Sequence, residues 1–454
     1  MTDKELIREY IVRARAAQKV LETYDQEKTD SIVRMFAKVI FDNADPLAKM
    51  AAEETRMGVY EDKIKKNQGK ARIIWNNLKG KKSMGILRYI EEEGLVEVAK
   101  PMGVVGAVTP CTNPIVTPMC NAMFAVKGKN VVIIAPHPRA KQCTKRIKEL
   151  YDAELVKMGV PTDIFQYLEE PSIELTGELM KQVDVVIATG GMGMVKAAYS
   201  SGKPSFGVGA GNVQCIIDKG YDPAVCVPKI VAGRIFDNGI ICSGEQTAIV
   251  HKDDYAAVIA EFKKNGAYYT EDKDEIDRLR EVIFPDGVIS KYVVGQSVAK
   301  IAELAKIDIP AGTKLIMIKA PAYGRADFLS KEKMCPVMTA YTYSDWKEAV
   351  SIALANLEYE GKGHSACIHS DSKENAEYAM EVLPVSRIVV NQICSTMNGG
   401  AFVNGLNPTT TLGCGSWGNN SISENLTWKH LINVSRIAYV IPGRTQPSDD
   451  EIWG

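Results

Sequence analysis

From about residue 104 onward, apolar runs of strand length alternate with amphipathic stretches of helical length. Residues 104–108, 131–135, 164–168 and 184–189 have the strand pattern. Between the second and third, Ile147, Leu150, Leu155 and Met158 fall on one helix that stops at Gly159 and Pro161. The alternation returns between 254 and 380. Residues 314–318 and 365–369 read as strands, and Trp346, Ala349, Val350, Ala353 and Leu357 as the apolar face of a helix. This succession implies an α/β protein with parallel, doubly wound sheets, whose ligands bind outside the carboxyl ends of the strands. The turns at those ends are the places to look for chemistry.

The chain before residue 104 is helical. Ile7, Ile11, Ala14, Ala17 and Leu21 mark one helix, and Ile32, Met35, Phe36, Val39 and Ile40 a second. A third begins near Leu47, Met50 and Ala51, with Asp45 as its expected N-cap and Pro46 in its first turn. Lysines cluster from Lys63 to Lys82 and read as a solvated helix face. Over all 454 residues, 55 basic and 56 acidic side chains leave a net charge of -1, which gives no ground for a nucleic-acid or acidic-membrane partner. The charged start Met1-Thr2-Asp3-Lys4-Glu5 and the absence of any 18-residue apolar run point to an unexported, cytoplasmic protein. Ten cysteines without a C-x-x-C pair fit reduced thiols, and five scattered histidines give no expected metal site.

Four turns hold candidate residues. Arg234 to Thr247 reads as a helix end running into a glycine-broken turn that carries Cys242, followed by a strand from Thr247 to His251. A thiol on such a turn is framed by backbone N–H groups, as a nucleophile requires, although most cysteines are small buried hydrophobes. The helix before it has Asp222-Pro223 at its start, and Pro228 inside it is expected to kink or shorten it. Thr109-Pro110-Cys111-Thr112-Asn113-Pro114 follows the first strand, and an amide held between prolines can donate to a developing oxyanion. Pro136-His137-Pro138-Arg139 ends the second strand with a basic pair suited to ribose or phosphate. Thr189-Gly190-Gly191-Met192-Gly193 joins a strand to a helix and lets a pyrophosphate approach bare backbone. Taken singly, each of the last three reads equally as an ordinary turn.

These segments, with Glu332-Lys333-Met334-Cys335-Pro336-Val337, stand in the order and spacing of the aldehyde dehydrogenase superfamily, which the sequence resembles over nearly its whole length. It is most similar to the CoA-acylating branch, on Ala-Thr-Gly-Gly-x-Gly-Met-Val-Lys-Ala-Ala-Tyr at 188–199, Phe-Asp-Asn-Gly-x-Ile-Cys at 236–242 and Leu-Gly-Cys-Gly-Ser-Trp-Gly at 412–418. The resemblance implies two doubly wound α/β domains and a small β oligomerisation element. The expected parts are a nicotinamide-binding domain over 1–211 with an oligomerisation hairpin near 92–107, a catalytic domain over 212–430, and a C-terminal strand and tail over 431–454. The strand at 435–441 is expected to pair with a neighbouring subunit in a homodimer or homotetramer.

By the same resemblance Cys242 is the nucleophile, and Asn113 with the Cys242 backbone N–H forms the oxyanion hole. Thr109, Pro110, His137, Pro138, Arg139, Thr189, Gly190, Gly191, Gly207, Val208, Gly209 and Glu332 face NAD or NADP. His364, Thr410 and Thr411 fall on the substrate or CoA side. Hydrolytic relatives carry Glu-Leu-Gly-Gly-Lys where this chain has Gly207-Val208-Gly209-Ala210-Gly211, so the carboxylate that recruits water is missing. Water needs a general base to cleave a thioester, whereas a thiol of pKa about 8.5 is already a few per cent thiolate at neutral pH. The expected reaction is therefore reversible oxidation of a short aldehyde with NAD(P)+ and CoA to an acyl-CoA. The hydroxyl- and amide-rich segment 391–411 suits acetaldehyde or a small anionic aldehyde such as sulfoacetaldehyde. The alternatives are a hydrolytic or phosphorylating dehydrogenase, or a scaffold that retains the fold without catalysis. No iron-dependent alcohol dehydrogenase half is expected after Gly454, and no targeting segment before the first helix.

Overall fold

The computed structural model describes residues 2–454. Four helices form the N-terminal layer: α1 (Asp3–Glu22), α2 (Gln26–Asp42), α3 (Ala44–Thr55) and α4 (Tyr60–Leu78). Thr2 and Glu5 close a capping box at the first, and the Asp25 carboxylate caps the second. The third differs from expectation: Asn43 is its N-cap, without a side-chain bond, and Asp45 lies inside the first turn. The lysine face of α4 also departs from the solvated reading, because Lys63 and Lys66 are buried. Alternating charge along a helix does not reveal which flank an adjacent domain covers.

The antiparallel hairpin β1 (Gly85–Ile90) and β2 (Leu95–Pro101) lies slightly before the expected 92–107. Residues from Val104 belong instead to the first parallel sheet, whose strands are β3 (Val104–Thr109), β4 (Val131–Pro136), β5 (Phe165–Tyr167), β6 (Val185–Thr189) and β7 (Ser205–Val208). They stand in the order β5-β4-β3-β6-β7, joined by α5 (Val116–Lys127), α6 (Lys141–Lys157), α7 (Ile173–Gln182) and α8 (Met192–Tyr199). Every residue of β3 and β4 is buried, which is why both read as continuous apolar runs.

The second sheet has seven strands in the order β10-β11-β12-β9-β8-β13-β14. In chain order its elements are β8 (Gln214–Ile217), α9 (Pro223–Ile235), β9 (Thr247–His251), α10 (Tyr255–Lys264), β10 (Ala267–Thr270), α11 (Lys273–Ile283), α12 (Val298–Ala305), β11 (Leu315–Lys319), β12 (Val337–Tyr343), α13 (Trp346–Tyr359), β13 (Ala366–His369), α14 (Lys373–Val382) and β14 (Ile388–Val390). Helix α9 is capped by Asp222 and runs through Pro228 without a break, so that proline does not shorten it. A short helix, α15 (Cys394–Met397), opens the loop beside the sheet. The terminal strand β15 (Ile432–Ala438) pairs with β2 of its own chain along one side and forms the outer edge of the β1-β2-β15 sheet, and α16 (Asp449–Trp453) closes the chain. Among the described residues no helix is long and apolar enough to cross a membrane.

Candidate active site

The order of the first sheet brings together three of the four candidate turns, those after Thr109, Pro136 and Thr189, with the turn after Val208 beside them. Strands β4, β3, β6 and β7 are consecutive neighbours and parallel, so their carboxyl ends share one edge. The turns are bonded to one another: His137 N donates to Thr109 O at 3.0 Å, and Gly190 N to Val208 O at 3.4 Å. His137 Nδ1 accepts from Arg139 N at 3.1 Å, and burial with the nearby Arg139 charge holds the imidazole below its usual range. The Arg139 guanidinium donates to the Thr55 carbonyl, tying the Pro138 turn to the end of α3.

This edge fits a dinucleotide. Helix α8 starts at Gly191 with no side-chain cap, so its first N–H groups stay open. A Cβ at Gly191 or Gly193 would meet nothing within 4 Å, whereas one at Gly209 would strike Met192 Sδ at 2.4 Å. The bare backbone thus faces open space on one side and packs closely on the other. Glu332 is buried against the Gly211 N–H, with Oε1 unpartnered and able to accept a ribose hydroxyl. Burial and the neighbouring Glu360 push its carboxyl well above the usual range.

Cys242 sits between the end of α9 and β9, after a sharp turn. Asp237, Asn238 and Gly239 all have left-handed backbone, with φ of 52°, 53° and 69°. Two consecutive non-glycine residues in that region are costly and persist only where contacts hold them. The Asp237 carboxylate, fully buried, accepts from Val59 N at 2.7 Å, from Lys63 Nζ at 3.1 Å and from Lys66 Nζ. Its own N–H donates to Asp62 Oδ2 at 2.9 Å. Two lysines of α4 therefore hold the turn that presents the thiol.

Lys66 also donates to Asn113 Oδ1 at 2.9 Å, which leaves the Asn113 Nδ2 free as a donor. Gly211 approaches the Cys242 carbonyl so closely that a Cβ would lie 1.9 Å from that oxygen. Cys242 is partly exposed, but its sulfur is enclosed, and burial followed by the charge of Glu332 pushes the thiol up to about 12. Arg387, buried and bonded only to the Gly413 carbonyl and the Ser365 hydroxyl, is the cation that opposes this shift.

The remaining expected residues gather on the other flank. Thr411 Oγ1 lies 3.5 Å from Thr189 Oγ1, and the buried Thr410 hydroxyl has no partner. His364 is fully buried with both ring nitrogens unpartnered, and burial with the Arg387 charge lowers its pKa to about 3. Gly363 packs against the Cys414 carbonyl, where a Cβ would fall at 1.9 Å, so His364 adjoins the Gly413-Cys414-Gly415 turn. The edge of Gly207 is filled instead by Tyr199, whose hydroxyl accepts from Gly207 N at 2.9 Å. Lys63, Lys66, Asp237 and Arg387 were not foreseen as site residues; the one available hint was the i, i+3 spacing of the two lysines.

A five-stranded and a seven-stranded parallel sheet, with an uncapped glycine turn facing one and a thiol turn carried on the other, define a dinucleotide-dependent thiol enzyme. The chain belongs to the aldehyde dehydrogenase family, whose model matches residues 1–275. It is 55% identical to the succinate-semialdehyde dehydrogenase (acetylating) of Clostridium kluyveri over the whole of both chains. An acetylating aldehyde dehydrogenase from Geobacillus thermoglucosidasius superposes with a TM-score of 0.94 at 37% identity, covering 98% of each chain. The propionaldehyde dehydrogenase of Rhodopseudomonas palustris, solved with bound CoA and an acylated cysteine, gives 0.85 at 26% identity over 96% of this chain and 98% of that one.

Proposed function

We propose that the protein is a CoA-acylating aldehyde dehydrogenase that works through a Cys242 thioester. The observation that carries this reading is the lack of an ionised carboxylate placed to activate water beside Cys242. The 207–211 segment has none. Glu332 and Glu245, the buried carboxyls nearby, are both pushed well above their usual range by burial, which disfavours the charged form that a general base needs. An acyl group on this sulfur waits for a better nucleophile than water.

In the proposed sequence the Cys242 thiolate attacks the aldehyde carbon, and the resulting alkoxide is stabilised by Asn113 Nδ2 and the Cys242 N–H. NAD(P)+, when bound, supplies the hydride acceptor. Loss of hydride from the former aldehyde carbon leaves an acyl thioester on Sγ. The CoA thiolate then attacks that carbonyl and expels the Cys242 thiolate, so one thioester replaces another and the reaction runs in both directions. Thr109, Pro110, His137, Pro138, Arg139, Thr189, Gly190, Gly191, Gly207, Val208, Gly209 and Glu332 would hold the dinucleotide. His364, Thr410 and Thr411 would border the aldehyde or CoA.

The domain assignment follows: 1–211 binds cofactor, 212–430 carries the thiol, and β15 with the tail serves assembly. Tyr89, Ile437, Tyr439 and Val440, on or beside the β1-β2-β15 sheet, are exposed, which supports a homodimer or homotetramer through this element. The relatives above add support, one named as acetylating and one holding CoA with an acylated cysteine. The deciding experiment incubates purified protein with an aldehyde and NAD+ or NADP+, with and without CoA, and identifies the product. Acyl-CoA formed only with CoA is expected. Equal cofactor reduction without CoA, yielding the free acid, would overturn the reading.

A further inference from the structure

Lys63, Lys66 and Lys70 follow one another at i, i+3 and i+7 on α4, yet only the first two have a counter-ion. Lys70 reaches two neutral acceptors, Gly399 O at 3.1 Å and Thr409 O at 3.2 Å, and forms no ion pair among the described residues. The contact depends on a glycine, since a Cβ at Gly399 would lie 2.6 Å from the ammonium. The Lys70 charge acts on both Cys120 and Cys242, so it stands within electrostatic reach of the nucleophile. Burial without a counter-ion lowers its pKa to about 8.

Orphaned polar groups share this region. Thr410, next to the Thr409 carbonyl that Lys70 holds, has a buried hydroxyl without a partner and borders Cys120. Asn113 lies in the turn before α5, where its carbonyl accepts from Thr117 N at 3.3 Å; one turn further along that helix is Asn121, and the Thr117 hydroxyl and both Asn121 amide atoms are also unpartnered. Helices α4 and α5 pack against each other. Buried polar groups are normally satisfied, and an ammonium that has two neutral acceptors but no counter-ion, beside hydroxyl and amide groups without partners, calls for an anionic ligand with hydrogen-bonding oxygens.

We propose that Lys70 is the specificity residue of the aldehyde pocket, binding the carboxylate or sulfonate at the far end of a short anionic aldehyde whose carbonyl lies at Cys242 and Asn113. This deepens the acylating reading and rests on it for the position of the aldehyde. In the wild type, succinate is expected to protect Cys242 from alkylation by neutral iodoacetamide, whereas uncharged butyramide is not. The ratio of kcat/KM for succinate semialdehyde over butyraldehyde is expected to fall about 30-fold or more in Lys70→Met and to recover largely in Lys70→Arg, in keeping with loss of a charge-assisted hydrogen bond. A ratio unchanged in Lys70→Met would overturn the proposal. So would a wild type that succinate does not protect, and this outcome needs neither turnover nor a folded variant. If turnover ignores CoA while succinate still protects Cys242, the acylating reading fails and the anion site stands.

Discussion

Lys66 Nζ lies 2.9 Å from Asn113 Oδ1 and at the same time bonds the Asp237 carboxylate, so one ammonium fixes both the amide and the turn that leads to Cys242. The direction of the Asn113 amide follows from this bond, because a lysine can only donate. Replacing Lys66 with Met frees the amide to rotate. We expect kcat to fall about 10- to 100-fold with little change in KM, and Asn113→Ala to cost about 100- to 1,000-fold, the range for losing one oxyanion donor. Single-turnover cofactor reduction measures the affected step; an equal rise in KM with no loss of kcat would refute the orientation argument.

Asp237 is the shared anion of two buried ammoniums, and its carboxyl is held below its usual range by Lys66 and Lys63 against the cost of burial. Asp237→Ala would leave both cations uncompensated and release a left-handed turn. The expected destabilisation is about 3–5 kcal/mol, as for breaking a buried ion pair, read from denaturant midpoints. Because the native carboxyl has the lower pKa, its contribution is present above the unfolded carboxylate range and is lost as pH falls through the native value. Asp237→Asn should therefore flatten the acid limb of the wild-type stability curve.

How much of this was legible beforehand differs between fold and site. The strands at 104–109, 131–136 and 185–189 are buried on both faces, and continuous apolar runs announce such strands directly. Cys242, Asn113 and the Gly190-Gly191 turn stood out through the order and spacing they share with a known family, since each turn alone reads equally as ordinary loop chemistry. The Lys63–Lys66–Asp237 set was not, because the two lysines stand 174 and 171 residues before the aspartate and each has an ordinary surface reading in sequence. The in-chain pairing of β15 with β2 was also hidden, since a strand pattern carries no partner.

Gly211→Ala tests the closest approach in the site. Its Cβ would lie 1.9 Å from the Cys242 carbonyl oxygen and 2.8 Å from the carbonyl carbon, both backbone atoms that cannot turn aside. The nucleophile turn must shift, and a displacement of about 1 Å costs on the order of 100-fold in rate. Unchanged kcat/KM in a folded Gly211→Ala protein would show that the thiol turn is not held at this point.

Thiol reactivity offers a check that needs no substrate. Only Cys111 and Cys242 are partly exposed, the other eight cysteines being buried, so native protein should present no more than two readily titrated thiols and denatured protein ten. With its pKa pushed up to about 12, the ligand-free Cys242 thiol stays protonated at neutral pH, and its alkylation rate should climb about tenfold per pH unit between 7 and 10. A plateau below pH 8, followed by peptide mass spectrometry, would mean that Arg387 outweighs burial and Glu332.

His364 makes the sharpest demand on acid stability. Its native pKa is lowered to about 3 by burial and by Arg387, so the imidazole is neutral in the fold but protonates freely near 6.5 once unfolded. The unfolded chain then binds the extra proton, and stability must fall as pH drops from about 6.5 toward 3, by roughly 2–3 kcal/mol at pH 4.5. Both ring nitrogens lack partners, so removing the imidazole forfeits no hydrogen bond within the chain. Urea unfolding of His364→Gln at pH 7 and 4.5 should show this part of the loss abolished. A wild-type-sized loss in the variant would place the titrating group elsewhere.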